Sequence, residues 1–263
     1  MIFARVLGTE LSKLRRSSVT WLSAVFYLFF GFLGAFVVWM LKNPESARSL
    51  GLIGQKASFA MNGISADWAG LFSLFDELGM AGGMVLLSII VTYLYRREYV
   101  EGTAKNMLAL PVPRAWFAAA KLVVAAIWFA ILSAILLAES FAVGSLLGLG
   151  PLPPGALASE AARAATSTLL VLALQPIVAW IAVASRGYLA PFGYTIATLI
   201  VGNLMIRTLW ARWCPWSIVA LLSGLSGPRQ ENRLAGSAPV MAATFALGLA
   251  GTIAHQARAD NCQ

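Results

Sequence analysis

The sequence predicts an all-α integral membrane protein with six transmembrane helices, and three observations carry that prediction. Hydrophobic residues make up 59% of the 263 and charged residues only 11%, about half the charge of an average soluble domain. The apolar residues fall in runs long enough to cross a bilayer, at about 17–41, 78–95, 115–137, 164–185, 187–206 and 234–254 of a single domain covering 1–263. Between two of those runs lies the densest charged island, Arg96 to Lys121, where seven of 26 residues carry charge, and it must sit in water beside the membrane.

In chain order, Met1 to Arg16 places Ile2, Phe3, Val6, Leu7, Leu11 and Leu14 on one helical side, with Arg5, Lys13, Arg15 and Arg16 available to phosphates. This is an interfacial helix. The uncharged run that follows, Ser17 to Leu41, is 25 residues, far beyond a signal-peptide core of about 7–15. It is the first span, with Trp21 and Trp39 at the interfaces. Lys42 to Glu77 is an outer loop that closes in an amphipathic or re-entrant helix carrying Trp68, Leu71, Phe72, Phe75 and Leu78. Leu78 to Tyr95 is the second span, and its Gly79-x-x-x-Gly83 is a weak sign of close helix approach.

The third span runs from about Ala115 to Leu137 and extends toward Leu149 past Glu139. A carboxylate at depth lines a polar path or finds a partner; the preferred alternative puts Glu139 at the outer interface. Gly150-Pro-Leu-Pro-Pro-Gly is a loop, and Ala164 to Ser185 is the fourth span, with Gln175-Pro176 at its middle. A proline there frees a carbonyl and bends the helix near Gln175. Arg186 alone turns the chain into the fifth span, Gly187 to Ile206, where Asn203 is either interhelical glue or surface. Between Arg207 and Arg233, Trp210, Trp213, Pro215 and Trp216 precede the short apolar run Ser217 to Leu225, which cannot span as a helix. The last span, Leu234 to Ala254, carries Ala242, Ala246, Ala250 and Ala254 at every fourth position, a face suited to close packing.

Six spans put both termini on one side of the membrane. That side holds 11 Lys and Arg against 8 on the other, so the termini are expected inside. The formal charge of +8 is read as anchoring to anionic membrane lipids, and nucleic-acid binding is disfavoured. Cys214 and Cys262 then lie on opposite sides and cannot pair within one chain. Neither a zinc site nor any other metal site is expected. The chain lacks Gly-x-x-x-x-Gly-Lys-Ser/Thr, His-Glu-x-x-His and Gly-x-Ser-x-Gly, and its one histidine is His255. No catalytic residue is expected.

Within the charged island, Val100, Ala104, Met107 and Leu108 fall at helical spacing, with Glu101, Lys105 and Asn106 on other faces, until Pro111 and Pro113 end the helix. This is an amphipathic helix at the membrane surface. Arg97, Glu98, Gly102, Thr103, Lys105, Leu108, Pro111, Arg114 and Lys121 form the pattern R-E-x-x-x-G-T-x-K-x-x-L-x-x-P-x-x-R, followed by an aromatic and a lysine. The pattern resembles the cytoplasmic coupling region of permease subunits in ATP-binding-cassette (ABC) exporters of type 2, especially bacitracin- and lantibiotic-resistance permeases.

The resemblance implies that this helix docks on a separate ATPase subunit, with Arg97, Glu98, Glu101, Gly102, Thr103, Lys105, Pro111 and Arg114 carrying the coupling. The expectation for Gly102 is that it lets a backbone approach where a side chain would intrude. The Trp213, Pro215 and Trp216 segment resembles the family's outer re-entrant gate, and Glu139 and Gln175 are candidates for the pathway. Also implied are a second permease, identical or related, ATP and Mg on the partner rather than on this chain, and a bacterial inner (plasma) membrane. The expected activity is outward movement of an amphipathic peptide or lipid-linked cargo. Two other readings stay open: a secondary transporter driven by an ion gradient, and a non-transporting membrane immunity protein.

Overall fold

The computed structural model describes residues 2–51, 65–102, 113–185, 187–206, 208–223 and 237–258, where every regular element is helical. Helix α1 is Ile2–Arg15, α2 Ser18–Lys42, α3 Pro44–Ser49, α4 Trp68–Glu77 and α5 Gly83–Val100. They are followed by α6 Arg114–Leu146, α7 Ala156–Ser185, α8 Leu189–Met205, α9 Pro215–Ser223 and α10 Ser237–Arg258. Among the described residues, five helical stretches are long and apolar enough to cross a membrane: Ser18–Lys42, Trp68–Glu98, Arg114–Leu146, Ala156–Ser185 and Ser237–Gln256. Helix α8, at 17 residues, is shorter. The chain is a multi-pass membrane protein.

The second span is longer than its uncharged core. Asp67 caps α4 by accepting the Gly70 N–H at 2.8 Å, and the helix continues through one π turn, Leu78–Gly82, into α5. The aromatic stretch that sequence reading made a separate amphipathic or re-entrant helix closing the outer loop, Trp68 to Phe75, is therefore the start of one continuous helix, with Leu71, Phe72 and Phe75 buried. Gly79 and Gly83 are contact positions: a Cβ on Gly79 would lie 2.9 Å from Leu136, and one on Gly83 would lie 2.7 Å from the Tyr27 hydroxyl.

Helix α6 passes through Glu139 without interruption. It ends at Gly148 (φ +61°), and Lys42 donates to the carbonyls of Leu147 and Gly148, joining the far ends of α2 and α6. Trp68 Nε1 donates to Gly150 O at 3.2 Å, adding α4 to the same end of the bundle. Helix α7 starts eight residues before its expected span, in the helix-forming run Ala156 to Arg163, where Glu160 pairs with Arg163 at 2.5 Å.

The core lies around α5 and α7, which are more enclosed than α2, α6 and α10. Tyr27, Tyr95, Phe129, Leu132 and Leu174 are among its largest fully buried apolar and aromatic side chains. Helix α10 packs on α7, but not through the alanine stripe. Ala242, Ala246, Ala250 and Ala254 are exposed, while Met241, Thr244, Gly248 and Thr252 are buried. A Cβ on Gly248 would lie 2.5 Å from the Ile177 backbone nitrogen. Thr252 donates to Pro176 O at 3.2 Å and to Gly248 O at 2.8 Å. The glycine lets the backbones approach, and the threonine adds a bond across the contact.

Candidate functional site

The charged island begins at the end of α5, and the described part of it is built from three elements. Helix α1 lies against α6, with Phe3 edge-on to Trp116 at 5.9 Å and Val6, Glu10 and Leu14 on the buried face. Glu10 is one helical turn from both Val6 and Leu14, so the apolar stripe carries a carboxylate in its middle. It is 2% exposed. The spacing to Val6 and Leu14 is the signal that could have identified it in the sequence.

Glu98, near the end of α5, accepts from two lysines. Lys121 of α6 donates to Oε2 at 2.7 Å and to Leu94 O at 2.6 Å, and Lys13 of α1 donates to Oε1 at 3.1 Å. Lys13 also bonds Glu10 at 2.6 Å. Lys121 is 2% exposed, a depth at which an ammonium persists only when paired and hydrogen-bonded. Burial pulls the Lys13 ammonium down, but the carboxylates of Glu10 and Glu98 outweigh it and hold its pKa above the ordinary lysine value. Tyr95 completes the junction, its hydroxyl donating to Ala118 O at 2.6 Å.

Beyond Glu98 the chain turns outward. Arg97 pairs with Glu101 at 2.8 Å on the exposed side and reaches Lys13 O at 3.3 Å. Gly102 follows with φ +68°, a left-handed conformation that closes the helix end. Nothing lies within 4 Å of a Cβ built on it. Among the described residues, then, the demand for glycine here is the left-handed conformation. Arg114, at the start of α6, donates to Gln256 O in the last turns of α10 at 2.9 Å, where a cation also suits the helix dipole. Thr103, Lys105 and Pro111 lie outside the described residues, as do most of the expected surface helix, Arg186 and Cys262.

The other candidates are separate from this junction. Glu139 packs against Gly31 of α2, 11 residues before Lys42, about 16 Å along the helix. That places it opposite the middle of α2. Its Oε2 is buried with no hydrogen-bond partner among the described residues. Gln175 is buried in α7 and bonds its own helix at Val171 O (3.2 Å) and Ser88 of α5 (3.4 Å). Asn203 is exposed and, among the described residues, bonds Leu199 O of its own helix.

Pro215 opens α9, as suits a residue without an N–H. Trp213 is exposed, whereas Trp216 packs edge-on to Tyr194 of α8 at 6.2 Å. A groove of about 490 Å³ between α5 and α8 is lined by Ser88, Ile89, Thr92, Tyr188, Leu189 and Phe192. It is apolar with two hydroxyls on one wall.

Comparison with known proteins gives three findings. A bacitracin transport permease protein, BCRB, of Bacillus licheniformis is 28% identical over 179 residues, covering 68% of this chain and 85% of the relative. No solved structure matches. Residues 6–202, three quarters of the chain from α1 through most of α8, match the model of the ABC-2 family transporter protein. The chain belongs to the ABC-2 transporter family.

Proposed function

We propose that this chain is the membrane-spanning permease of an ATP-driven exporter whose ATP hydrolysis is carried out by a separate subunit. The observation that carries the reading is the double ion pair at Glu98. It joins α1, α5 and α6 where the chain leaves the bundle for the charged segment. A push on that segment by a docked protein passes to α1 through Lys13 and to α6 through Lys121. In this reading Glu98 positions the segment. Arg97, Glu101 and Gly102, with Thr103, Lys105 and Pro111, form the docking face, and Arg114 ties the same end to α10.

Helix α8 serves as a sixth span. Its 17 residues rise about 25 Å, a few ångströms short of the hydrocarbon core, which local thinning accommodates at modest cost. Both termini and the 96–121 segment are then cytoplasmic, in a bacterial inner membrane. The short helices between α8 and α10 are an outer re-entrant element, with Trp213 and Trp216 at the gate. The exposed faces of α2 and α10 are available to lipid and to a second permease, identical or related.

The groove between α5 and α8 has the volume and the mixed wall of a small-molecule site, room for a side chain or an acyl tail of an amphipathic peptide or a lipid-linked cargo rather than for the whole molecule. Bacitracin, the cargo in the relative's name, is the first to test. In inside-out vesicles holding the chain and its ATPase, labelled bacitracin should accumulate with ATP and continue to do so with ionophores present. Accumulation driven by an ion gradient without ATP would overturn the reading in favour of a secondary transporter. Protection without movement of the peptide would favour an immunity protein.

A further inference from the structure

The turn that follows α8 carries two indoles and a guanidinium on its outward side. Ala211–Trp213 form a single 3-10 turn, closed by the Trp213 N–H on Trp210 O at 2.9 Å. Side chains three residues apart eclipse in such a turn, so Trp210 and Trp213 share one side. Leu209 is 90% exposed and Trp210 70%, with Trp213 exposed beside them. The Arg212 guanidinium lies over the Trp213 ring, 5.4 Å from its centroid. Among the described residues no carboxylate pairs with it.

The turn is pinned from below. Ala211 is buried with Ile206 and Leu221 in a small apolar cluster, and its carbonyl accepts the Ser217 hydroxyl of α9 at 2.6 Å. A small side chain takes the inward place, so the large ones face out, while Trp216 of α9 packs on Tyr194. What the outward side meets follows from α8. The exposed side of that helix, with Leu189, Ile200 and Leu204, leads along the chain to Leu209. At 17 residues and about 25 Å, α8 ends a few ångströms short of a hydrocarbon core of about 30 Å. The turn after it therefore falls at the boundary between acyl chains and headgroups, the layer that favours indoles. A guanidinium there meets phosphate, whose oxygens its planar fork of donors fits.

We propose that residues 209–213 are a docking surface for outer-leaflet phospholipid, with Leu209, Trp210 and Trp213 among the upper acyl chains and Arg212 on a lipid phosphate. The proposal rests on α8 being the sixth span with its Met205 end outside. It gives the two sides of the outer segment different partners: Trp216 faces the bundle, and Trp213 faces the leaflet. The lipid contact also holds the end of a helix that is short for the bilayer, so the leaflet fixes the position of the gate.

The test uses the full chain with Cys214→Ser and Cys262→Ser, in nanodiscs of phosphatidylethanolamine and phosphatidylglycerol, with a nitroxide on Leu209→Cys. Electron paramagnetic resonance compares its collisions with oxygen, which concentrates in the bilayer, and with a water-soluble nickel chelate. Oxygen contact should exceed nickel contact, and Arg212→Glu and Trp210→Ala should each shift the label toward water. Nickel contact in excess, or an unchanged balance in both variants, overturns the lipid contact and leaves the export reading standing. A label that leaves water only when bacitracin is added assigns the surface to cargo and overturns the contact equally. Side is read separately: Arg212→Cys, in the same background, should react with an impermeant maleimide added outside intact cells. Reaction only from the cytoplasmic face would overturn the outer placement, and with it the six-span topology of the export reading.

Discussion

Glu98 and Lys121 are held 2.7 Å apart, the carboxylate at the end of one span and the ammonium seven residues into the next. The second oxygen of the same carboxylate holds Lys13 of α1. Two cations on one buried acid make the position sensitive to loss of any member. Breaking a buried pair costs far more than the pair contributes relative to an apolar replacement.

Glu98→Gln should therefore destabilise the chain by about 3–5 kcal/mol, since it strands the Lys121 ammonium. The double variant Glu98→Leu/Lys121→Met should recover most of that loss. Lys13→Ala, at a half-exposed lysine, should cost no more than about 1 kcal/mol. Denaturant unfolding in mixed micelles measures all three. Equal costs for Lys13→Ala and Glu98→Gln would show that the buried pair is not the anchor.

The same junction has a pH signature. The pKa of Lys13 is raised by Glu10 and Glu98 against the opposing effect of burial. Its contribution is fully present below the ordinary lysine value of 10.5 and is lost as pH rises through the higher folded value. Proteolysis near α1 should be constant across neutral pH and increase only in strong alkali. An increase between pH 6 and 8 would contradict this assignment.

At the opposite end, Asp67 is held below the ordinary aspartate value by the Ser65 hydroxyl and the Gly70 N–H. Its stabilisation is present above 3.8 and lost as pH falls through the lower folded value. Asp67→Ala should cost about 1 kcal/mol at pH 7 as a lost helix cap. That difference should vanish on acidification below the folded value, as read from paired unfolding curves. A difference that survives would assign the loss to packing.

Gly102 separates two explanations of one glycine. With φ +68° and open space around the missing Cβ, Gly102→Asn should keep coupled ATP hydrolysis, because Asn tolerates the left-handed region. Gly102→Leu should lose it, at a backbone cost of about 1–2 kcal/mol. Equal loss in both variants would indicate that a partner backbone needs the space.

The α10 face gives a comparison of packing sites. Gly248→Leu should disrupt insertion or stability, because even a Cβ meets the α7 backbone. Ala250→Leu, on the exposed stripe, should be tolerated by the isolated chain, as read by size-exclusion behaviour and melting. The reverse order would place the contact where the alanine periodicity suggested.

Composition and run length were enough to place the long helices, because crossing a bilayer demands some 20 apolar residues and little else. Ends were less legible. Helix α4 continues into α5 and α7 starts early because aromatic and charged residues remain helical past the apolar core, where hydropathy falls but backbone bonding does not. Within the chain α10 packs through Met241, Thr244, Gly248 and Thr252 rather than through the alanine stripe, since small residues permit close packing without requiring it. At the junction, Arg97, Glu98, Glu101 and Gly102 stood out by motif, and Lys121 entered only as its last member. Glu10 stayed hidden because its partner Lys13, three residues on, also holds Glu98, 85 residues further along the chain, and that distance is bridged only by tertiary structure. Glu139 shows the same limit: sequence gives the carboxylate in an apolar run, but only the structure shows it packed against Gly31 at the middle of α2.

The most direct test is affinity isolation of the chain from its native membrane in mild detergent, followed by ATP hydrolysis. The wild-type chain should carry an ATPase subunit whose hydrolysis is stimulated by cargo. Glu101→Arg breaks only an exposed pair worth about 0.2–0.5 kcal/mol, so the variant stays folded and inserted. Its stimulation should fall to the level of the ATPase alone. Isolation without any ATPase, or wild-type stimulation in Glu101→Arg, would contradict the account.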